Sequence, residues 1–97
     1  MKSIMIAFDQ AHQDVIINIL QHSLVRGYTE FPTTQGKGSF TGDPHLGSHA
    51  WPSMCSTIIT IVDDDRVEPV LKRLKNLDNM YPDLGLRAFV WNIEQTI

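Results

Sequence analysis

The chain has 97 residues and a mass of 11.0 kDa, which fits a single domain because so short a chain rarely supplies two hydrophobic cores. Its composition, 42% hydrophobic and 20% charged, is that of a globular protein and excludes a disordered one. The net charge of −3 disfavours a nucleic-acid partner, which would need a basic surface. The longest apolar run, Ile4–Phe8, is too short for membrane insertion or a secretory signal, so we expect one cytoplasmic domain over residues 1–97.

The first half of the chain predicts a strand, a helix and a second strand. Ile4–Phe8 is short and apolar and contains β-branched residues, as in a strand buried on both faces. A helix should follow and end at Gly27, because glycine readily adopts the left-handed conformation found after a helix C-terminus. Tyr28–Thr34 is the second predicted strand, and Pro32 places it at a sheet edge or a bulge. The apolar stripe of the helix is Val15, Ile16, Ile19, Leu20 and Leu24.

The second half of the chain repeats this order. The third predicted strand, Ile58–Val62, aligns with Ile4–Phe8 when the sequence is compared with itself. The run Asp63–Asp65 supplies N-cap candidates for the next helix, and with Asp65 as the cap Glu68 falls at the capping-box position. Pro69 should lie within the first turn. Arg87–Trp91 is the fourth predicted strand. The apolar stripe of the second helix is Val67, Val70, Leu71, Leu74 and Leu77.

The predicted order of elements is βαββαβ. It indicates the α+β class and the ferredoxin-like fold, a four-stranded antiparallel sheet with both helices on one face. The helices would cover only that face, yet the first, third and fourth strands carry apolar residues at both parities. An uncovered apolar surface of this size usually lies against another subunit, so we predict a homo-oligomer.

A long loop over residues 35–54 joins the second and third predicted strands. Loops of this length in small domains are commonly functional. Its first residues include Gly36, Lys37 and Gly38, and closely spaced glycines let backbone N–H groups approach an anionic ligand while Lys37 adds a positive charge. The same glycines also suit simple tight turns, and their spacing is neither that of a Walker loop nor that of a dinucleotide fingerprint.

The same loop contains a candidate metal site. His45 and His49 are four residues apart, a separation at which two imidazoles on a helical turn reach one ion. Asp43, Met54 or Cys55 would complete a site suited to Cu or Zn. The alternative is that both histidines are solvated loop residues.

No enzyme motif accompanies these residues. The sequence contains no G-x-S-x-G, no H-E-x-x-H and no C-x-x-C, so no motif places an acid, a base or a nucleophile. We therefore expect that the protein is not an enzyme. An enzyme with a pocket on the apolar sheet face is the least favoured of the functions considered.

Four segments together give the chain a resemblance to a known family. It resembles the PII-like signalling proteins, relatives of the nitrogen regulatory protein P-II, in the form with a shortened T-loop, and the resemblance spans nearly the whole chain. The order and spacing of the segments carry the resemblance more than any one of them does. The matching residues lie at 26–29, 35–38, 61–64 with Val67, and 85–90.

The resemblance implies a homotrimer of ferredoxin-like subunits whose sheets face inward. Proteins of this family bind adenine nucleotides or related small effectors in clefts between subunits, and their T-loop docks on partners such as membrane transporters or regulators. By the same resemblance, Thr29 would lie near the adenine, Gly36 and Gly38 would offer loop backbone to the ligand, and Arg87 would replace a phosphate-facing lysine. Only Gly85 remains of the glycine-rich stretch before that position.

Two functional hypotheses follow. The first is a non-enzymatic PII-like regulator that binds an effector at subunit interfaces through Thr29, the Gly36, Lys37 and Gly38 loop, Gly85 and Arg87, and then signals to a protein partner. The second is a Cu or Zn sensor, or a metal-tolerance protein similar to the CutA-type relatives, that works through His45 and His49.

Overall fold

The computed structural model describes residues 1–37, 44–45 and 54–97, with the backbone alone at 36–37 and 44–45. Two α-helices are present in these ranges: α1 at Gln13–His22 and α2 at Asp64–Met80. Short 3₁₀ turns at Gln10–His12 and Pro82–Leu84 precede α1 and follow α2. The strands are β1 at Lys2–Asp9, β2 at Thr29–Thr34, β3 at Gly36–Lys37, β4 at Pro44–His45, β5 at Cys55–Val62 and β6 at Arg87–Asn92.

The main sheet has the order β2-β5-β1-β6, and all of its pairs are antiparallel. The two central strands, β1 and β5, are eight residues long and pair along their whole length. Both edge strands, β2 and β6, are shorter. This topology confirms the predicted ferredoxin-like α+β fold, and the four long strands are those predicted from the sequence.

The hydrophobic core lies between the sheet and the helices. Alternate residues of β1 and β5 point toward α1 and α2, which contribute the buried positions of their apolar stripes. The residues of the opposite parity face away from the helices. The buried core residues are Ile4, Ile6, Phe8, Ile16, Leu20, Val25, Ile58, Val62, Val70, Leu74, Leu77 and Leu86.

The predicted end of the first helix at Gly27 is wrong. Helix α1 ends at His22, and Leu24 takes the left-handed conformation with φ of 60°. Val25 N–H donates to the Leu20 carbonyl at 3.0 Å and Leu24 N–H to that of Gln21 at 3.1 Å, which is the Schellman arrangement. The early end has a packing reason, since it lets Val25 enter the core beside Leu20.

The second helix starts after the first of its three N-cap candidates, but the capping box and the first-turn place of Pro69 are not found. Helix α2 begins at Asp64 directly after β5, with Asp63 as its N-cap, and no side-chain hydrogen bond caps it. Asp65 is therefore already helical and forms no capping box with Glu68. Pro69 is the sixth helical residue rather than a first-turn one, so the Asp65 carbonyl lacks its intrahelical donor.

Strand β2 has the predicted irregularity at Pro32. Its register against β5 shifts between Phe31 and Thr34, and β2 is an edge strand. The Pro32 carbonyl, which points inward at this bulge, accepts a hydrogen bond from Ser56 Oγ at 2.7 Å. Within the described ranges, neither helix combines the length and apolarity needed to cross a membrane.

Candidate functional site

One face of the sheet is apolar and uncovered by the rest of the described chain. Met5 on β1 lies opposite Ile59 on β5 and Phe89 on β6, so the three form a row across this face. The next row toward the start of β1 contains Ser3, Ile61 and Trp91. We call this surface the open face. Its largest exposed side chains, each between 45% and 52% accessible, are Phe31, Ile61, Phe89 and Trp91.

The predicted ligand residues divide between the two edges of the sheet. Thr29 opens β2, is exposed, and lies opposite Ile59. Arg87 opens β6 and lies opposite Ala7. Because β5 and β1 lie between these edges, the two strands are three interstrand spacings apart, or about 14 Å. A single subunit therefore does not bring Thr29 and Arg87 together.

The loop base follows the β2 edge. Gly36 and Lys37 form β3 and pair with His45 and Pro44 of β4 in a two-residue ladder. Residues 36–37 and 44–45 thus run antiparallel, and the His45 backbone is extended there rather than helical. Gly38, Asp43 and His49 lie outside the described residues.

The β6 edge holds the other predicted ligand residues. Gly85 has a φ of 72° and ends the 3₁₀ turn before β6, a left-handed conformation that suits glycine. The Arg87 guanidinium donates to the Leu86 carbonyl through Nη1 at 2.6 Å. Arg87 also lines a hollow of 280 Å³ between α2 and β6, whose other charged residues are Lys75 and Asp78.

A larger hollow of 820 Å³ lies at the opposite end of the sheet, where β1 begins. Three segments form most of its wall: the connection between α1 and β2, the end of β5, and the first turn of α2. Gly27 lines it, two residues before Thr29. It also contains Arg26 and Arg66, which sequence reasoning missed because no local spacing links them. We call it the arginine hollow, and its lining includes Leu24, Val25, Ile61, Val62 and Asp63.

The candidate metal ligands are not assembled by the part of the chain that the structure describes. Among those residues, no group of three His, Cys, Asp or Glu side chains could hold a metal ion. Cys55 is buried at the start of β5 as a free thiol, next to the base of the loop. Burial raises the pKa of this thiol, the nearby Asp9 charge raises it further, and hydrogen bonding to Thr34 partly offsets both.

Comparison with known proteins places the fold. No family model matches the chain, and no curated protein matches it. Solved structures, by contrast, do match the chain. CPII from Thiomonas intermedia K12, a nitrogen regulatory PII-like protein bound to ADP, AMP and bicarbonate, superposes with a TM-score of 0.78 at 24% identity, covering 95% of this chain and 84% of CPII.

Two further structures agree. CPII bound to ADP and bicarbonate gives a TM-score of 0.75 at 25% identity, again covering 95% of this chain and 84% of CPII. A PII-like signalling protein from Thermus thermophilus gives 0.68 at 22% identity, covering 95% of this chain and 85% of its own. The resemblance stated from the sequence is thereby confirmed: this chain has the fold of the PII-like proteins.

Proposed function

We propose that the protein is a non-enzymatic, cytoplasmic PII-like regulator that assembles as a homotrimer and binds an adenine nucleotide between its subunits. The observation that carries the proposal is the open face. An apolar surface with four large, half-exposed side chains is unusual on a monomer, and copies of this chain would cover it if their sheets packed together. The structural relatives bound to ADP and AMP support an adenine nucleotide as the effector.

The sheet order supports a ligand site that is shared between subunits. Thr29 and the loop base follow one edge, whereas Gly85 and Arg87 belong to the other. In a ring of copies, the β2 edge of one subunit would approach the β6 edge of the next. The Gly36 and Gly38 backbone, with Lys37, would then face the neighbour's Arg87 across the cleft and contact the phosphates.

Signalling would pass through the loop over residues 35–54. The ladder between β3 and β4 joins the two sides of this loop near its base, and β3 follows β2 after one residue, beside the proposed nucleotide. A nucleotide that binds one loop conformation more tightly than another shifts the population of the loop. A protein partner, such as a membrane transporter or a regulator, would bind that conformation.

Calorimetric titration with ADP, AMP and ATP tests the proposal. We expect binding by the wild type, and an affinity at least tenfold lower for Arg87→Glu and for Lys37→Glu, since each reverses a charge facing the phosphates. Lys72→Glu on the exposed side of α2 is the matched control and should bind normally. No nucleotide binding by the wild type would refute the proposal.

Mixed trimers test whether the site is shared. Lys37→Glu and Arg87→Glu subunits, unfolded together and refolded at equal ratio, should regain about one quarter of the sites, because those pair an unaltered loop with an unaltered neighbouring Arg87. If both residues belonged to one subunit, mixing would restore no sites. The metal hypothesis is tested by calorimetric titration with Zn²⁺ and Cu²⁺. The double variant His45→Ala/His49→Ala should abolish any metal binding that uses those histidines.

A further inference from the structure

The hollow between α2 and β6 contains a buried carboxylate oxygen without a partner. Asp78 lines this hollow, and its Oδ1 is buried and accepts no hydrogen bond from the residues that the structure describes. A carboxylate oxygen removed from water without a donor is unfavourable, so Asp78 should attract a donor within reach. The apolar residues of the lining, which offer no side-chain donor, are Leu71, Leu74, Leu86 and Ala88.

The position of Asp78 in its helix is also unfavourable. Helix α2 ends at Met80, so Asp78 lies in its last turn. A carboxylate there opposes the helix dipole, whose C-terminal end is negative, and that turn contains no basic residue to offset it. The stability of α2 therefore does not account for Asp78, whereas pairing with a cation on another element would.

Two cationic residues line the same hollow, Lys75 and Arg87. Neither forms an ion pair with Asp78 within residues 1–37, 44–45 and 54–97. Lys75 is exposed, so its ammonium group keeps its water, whereas Arg87 is half-buried at the start of β6. A guanidinium group is also less strongly hydrated than an ammonium group, so it loses less on entering a hollow. Arg87 is therefore the better partner for Asp78.

The contacts of Arg87 leave it able to form this pair. Its Nη1 donates to the carbonyl of Leu86, another residue of the lining, at 2.6 Å. A guanidinium group carries five N–H donors, so one bond to a carbonyl leaves the others for a carboxylate. The hollow has a volume of only 280 Å³, below the usual range of ligand sites, so side chains from its facing walls can meet across it.

We infer that Asp78 is a positioning residue for the nucleotide site, because it competes with the nucleotide phosphate for the Arg87 guanidinium group. Without nucleotide, Arg87 populates a pair with Asp78 in the hollow, and a bound phosphate draws it toward the cleft between subunits. The inference rests on the proposed function, in which Arg87 faces the phosphates, and adds the residue that sets how tightly they bind. The competition lowers the affinity, since only subunits whose Arg87 is free bind at full strength.

Calorimetric titration with ADP tests the competition. Asp78→Asn keeps the shape of the side chain but removes its charge, and we expect it to bind ADP about fivefold more tightly than the wild type. In an Arg87→Gln background, the same substitution should change the affinity by less than about twofold, because Asp78 acts through Arg87. Glu68→Gln, which removes an exposed charge elsewhere on α2, is the matched control and should also stay within about twofold.

The nucleotide-free protein provides a second measurement. In the ¹⁵N-labelled protein, the Nε–Hε signal of Arg87 should move in Asp78→Asn and stay in place in Glu68→Gln, since only the first substitution removes a partner of Arg87. The amide spectrum of each variant verifies its fold.

The outcomes separate this inference from the proposed function. Wild-type or weaker ADP affinity in Asp78→Asn, an equal gain in Glu68→Gln or in the Arg87→Gln background, or an unmoved Arg87 signal would overturn the inference alone. No ADP binding by the wild type would refute the proposed function and, with it, this inference.

Discussion

Replacement of Phe89 by aspartate is the most direct test of the proposed assembly. Phe89 lies in the row of Met5 and Ile59 on the open face and is 52% exposed in the single subunit. A phenylalanine side chain offers about 200 Å² of surface, so full coverage by a neighbour would bury about 100 Å² more. At 25 cal/mol per Å², this burial contributes about 2.5 kcal/mol per subunit.

The substitution acts in all three subunits of a trimer. Its total cost is then about 7.5 kcal/mol, which lowers the overall association constant by between about five and six powers of ten. Burial of an unpaired carboxylate adds to this cost. The isolated subunit should tolerate the change, because half of the side chain already faces solvent.

Sedimentation velocity at micromolar concentration provides the measurement. We expect the wild type to sediment with three times the mass of one subunit and Phe89→Asp to sediment as a folded monomer. Met80→Asp is the matched control: it places the same charge at a residue that is 68% exposed at the end of α2, away from the open face, and should remain trimeric. A monomeric wild type, or a trimeric Phe89→Asp, would refute the reasoning.

Three further predictions concern stability and the buried thiol. Thr60→Val removes the 2.6 Å hydrogen bond from Thr60 Oγ1 to the Gly27 carbonyl and should lower the free energy of unfolding in urea by about 1 kcal/mol, whereas no change would show that solvent replaces this bond. Leu24→Gly should raise the free energy of unfolding by about 1 kcal/mol, since glycine accepts a φ of 60° without the steric cost that leucine has. Leu24→Ala should not raise the free energy of unfolding in this way. Because burial raises the pKa of the Cys55 thiol, the folded state favours the protonated form, so stability should be full below the ordinary thiol pKa and fall as pH rises through the raised one. Cys55→Ala should remove this slope in urea titrations at increasing pH, and a slope that persists would contradict the assignment.

The overall fold could be predicted because the hydrophobic pattern determines it. The two central strands are apolar at both parities, and the helices have clear stripes, so the order βαββαβ followed directly. Pro32 on β2 was also informative, since proline has no N–H for a ladder and belongs at an edge or bulge. In each case the residue types along the sequence match the burial or the hydrogen bonding that the position has in the fold.

The element boundaries failed where packing overrode local preference. Gly27 is the residue that usually ends a helix, but burial of Val25 beside Leu20 ends α1 earlier and forces Leu24 into the left-handed region. At the second helix any residue of Asp63–Asp65 suits an N-cap, and Asp63 takes this position because β5 pairs as far as Val62 and leaves one residue before α2 begins. Propensity is a weak guide at such places.

The candidate site was harder to predict than the fold. The family resemblance predicts Thr29 and Arg87 as ligand residues, but only the sheet order shows that they lie on opposite edges of the sheet. Arg26 belongs to the matching segment 26–29 but was given no ligand role, and no pattern linked it to Arg66, because the two residues are forty positions apart and converge only through the packing of α2 beside the α1 to β2 connection. Sequence spacing carries no signal for a hollow that is built from three distant segments.

The bulge at Pro32 affects how the β2 edge could pair with a second molecule. An edge strand has unpaired backbone N–H and C=O groups that can hydrogen-bond to a strand of another molecule, and repeated pairing of this kind leads to fibrils. On β2 the proline removes a donor and the register shift bends the strand, so a continuous ladder to a second molecule would be interrupted there. In the proposed trimer, contact between copies would therefore fall on the open face, and the β2 edge beside the loop would form no strand pair with a neighbour.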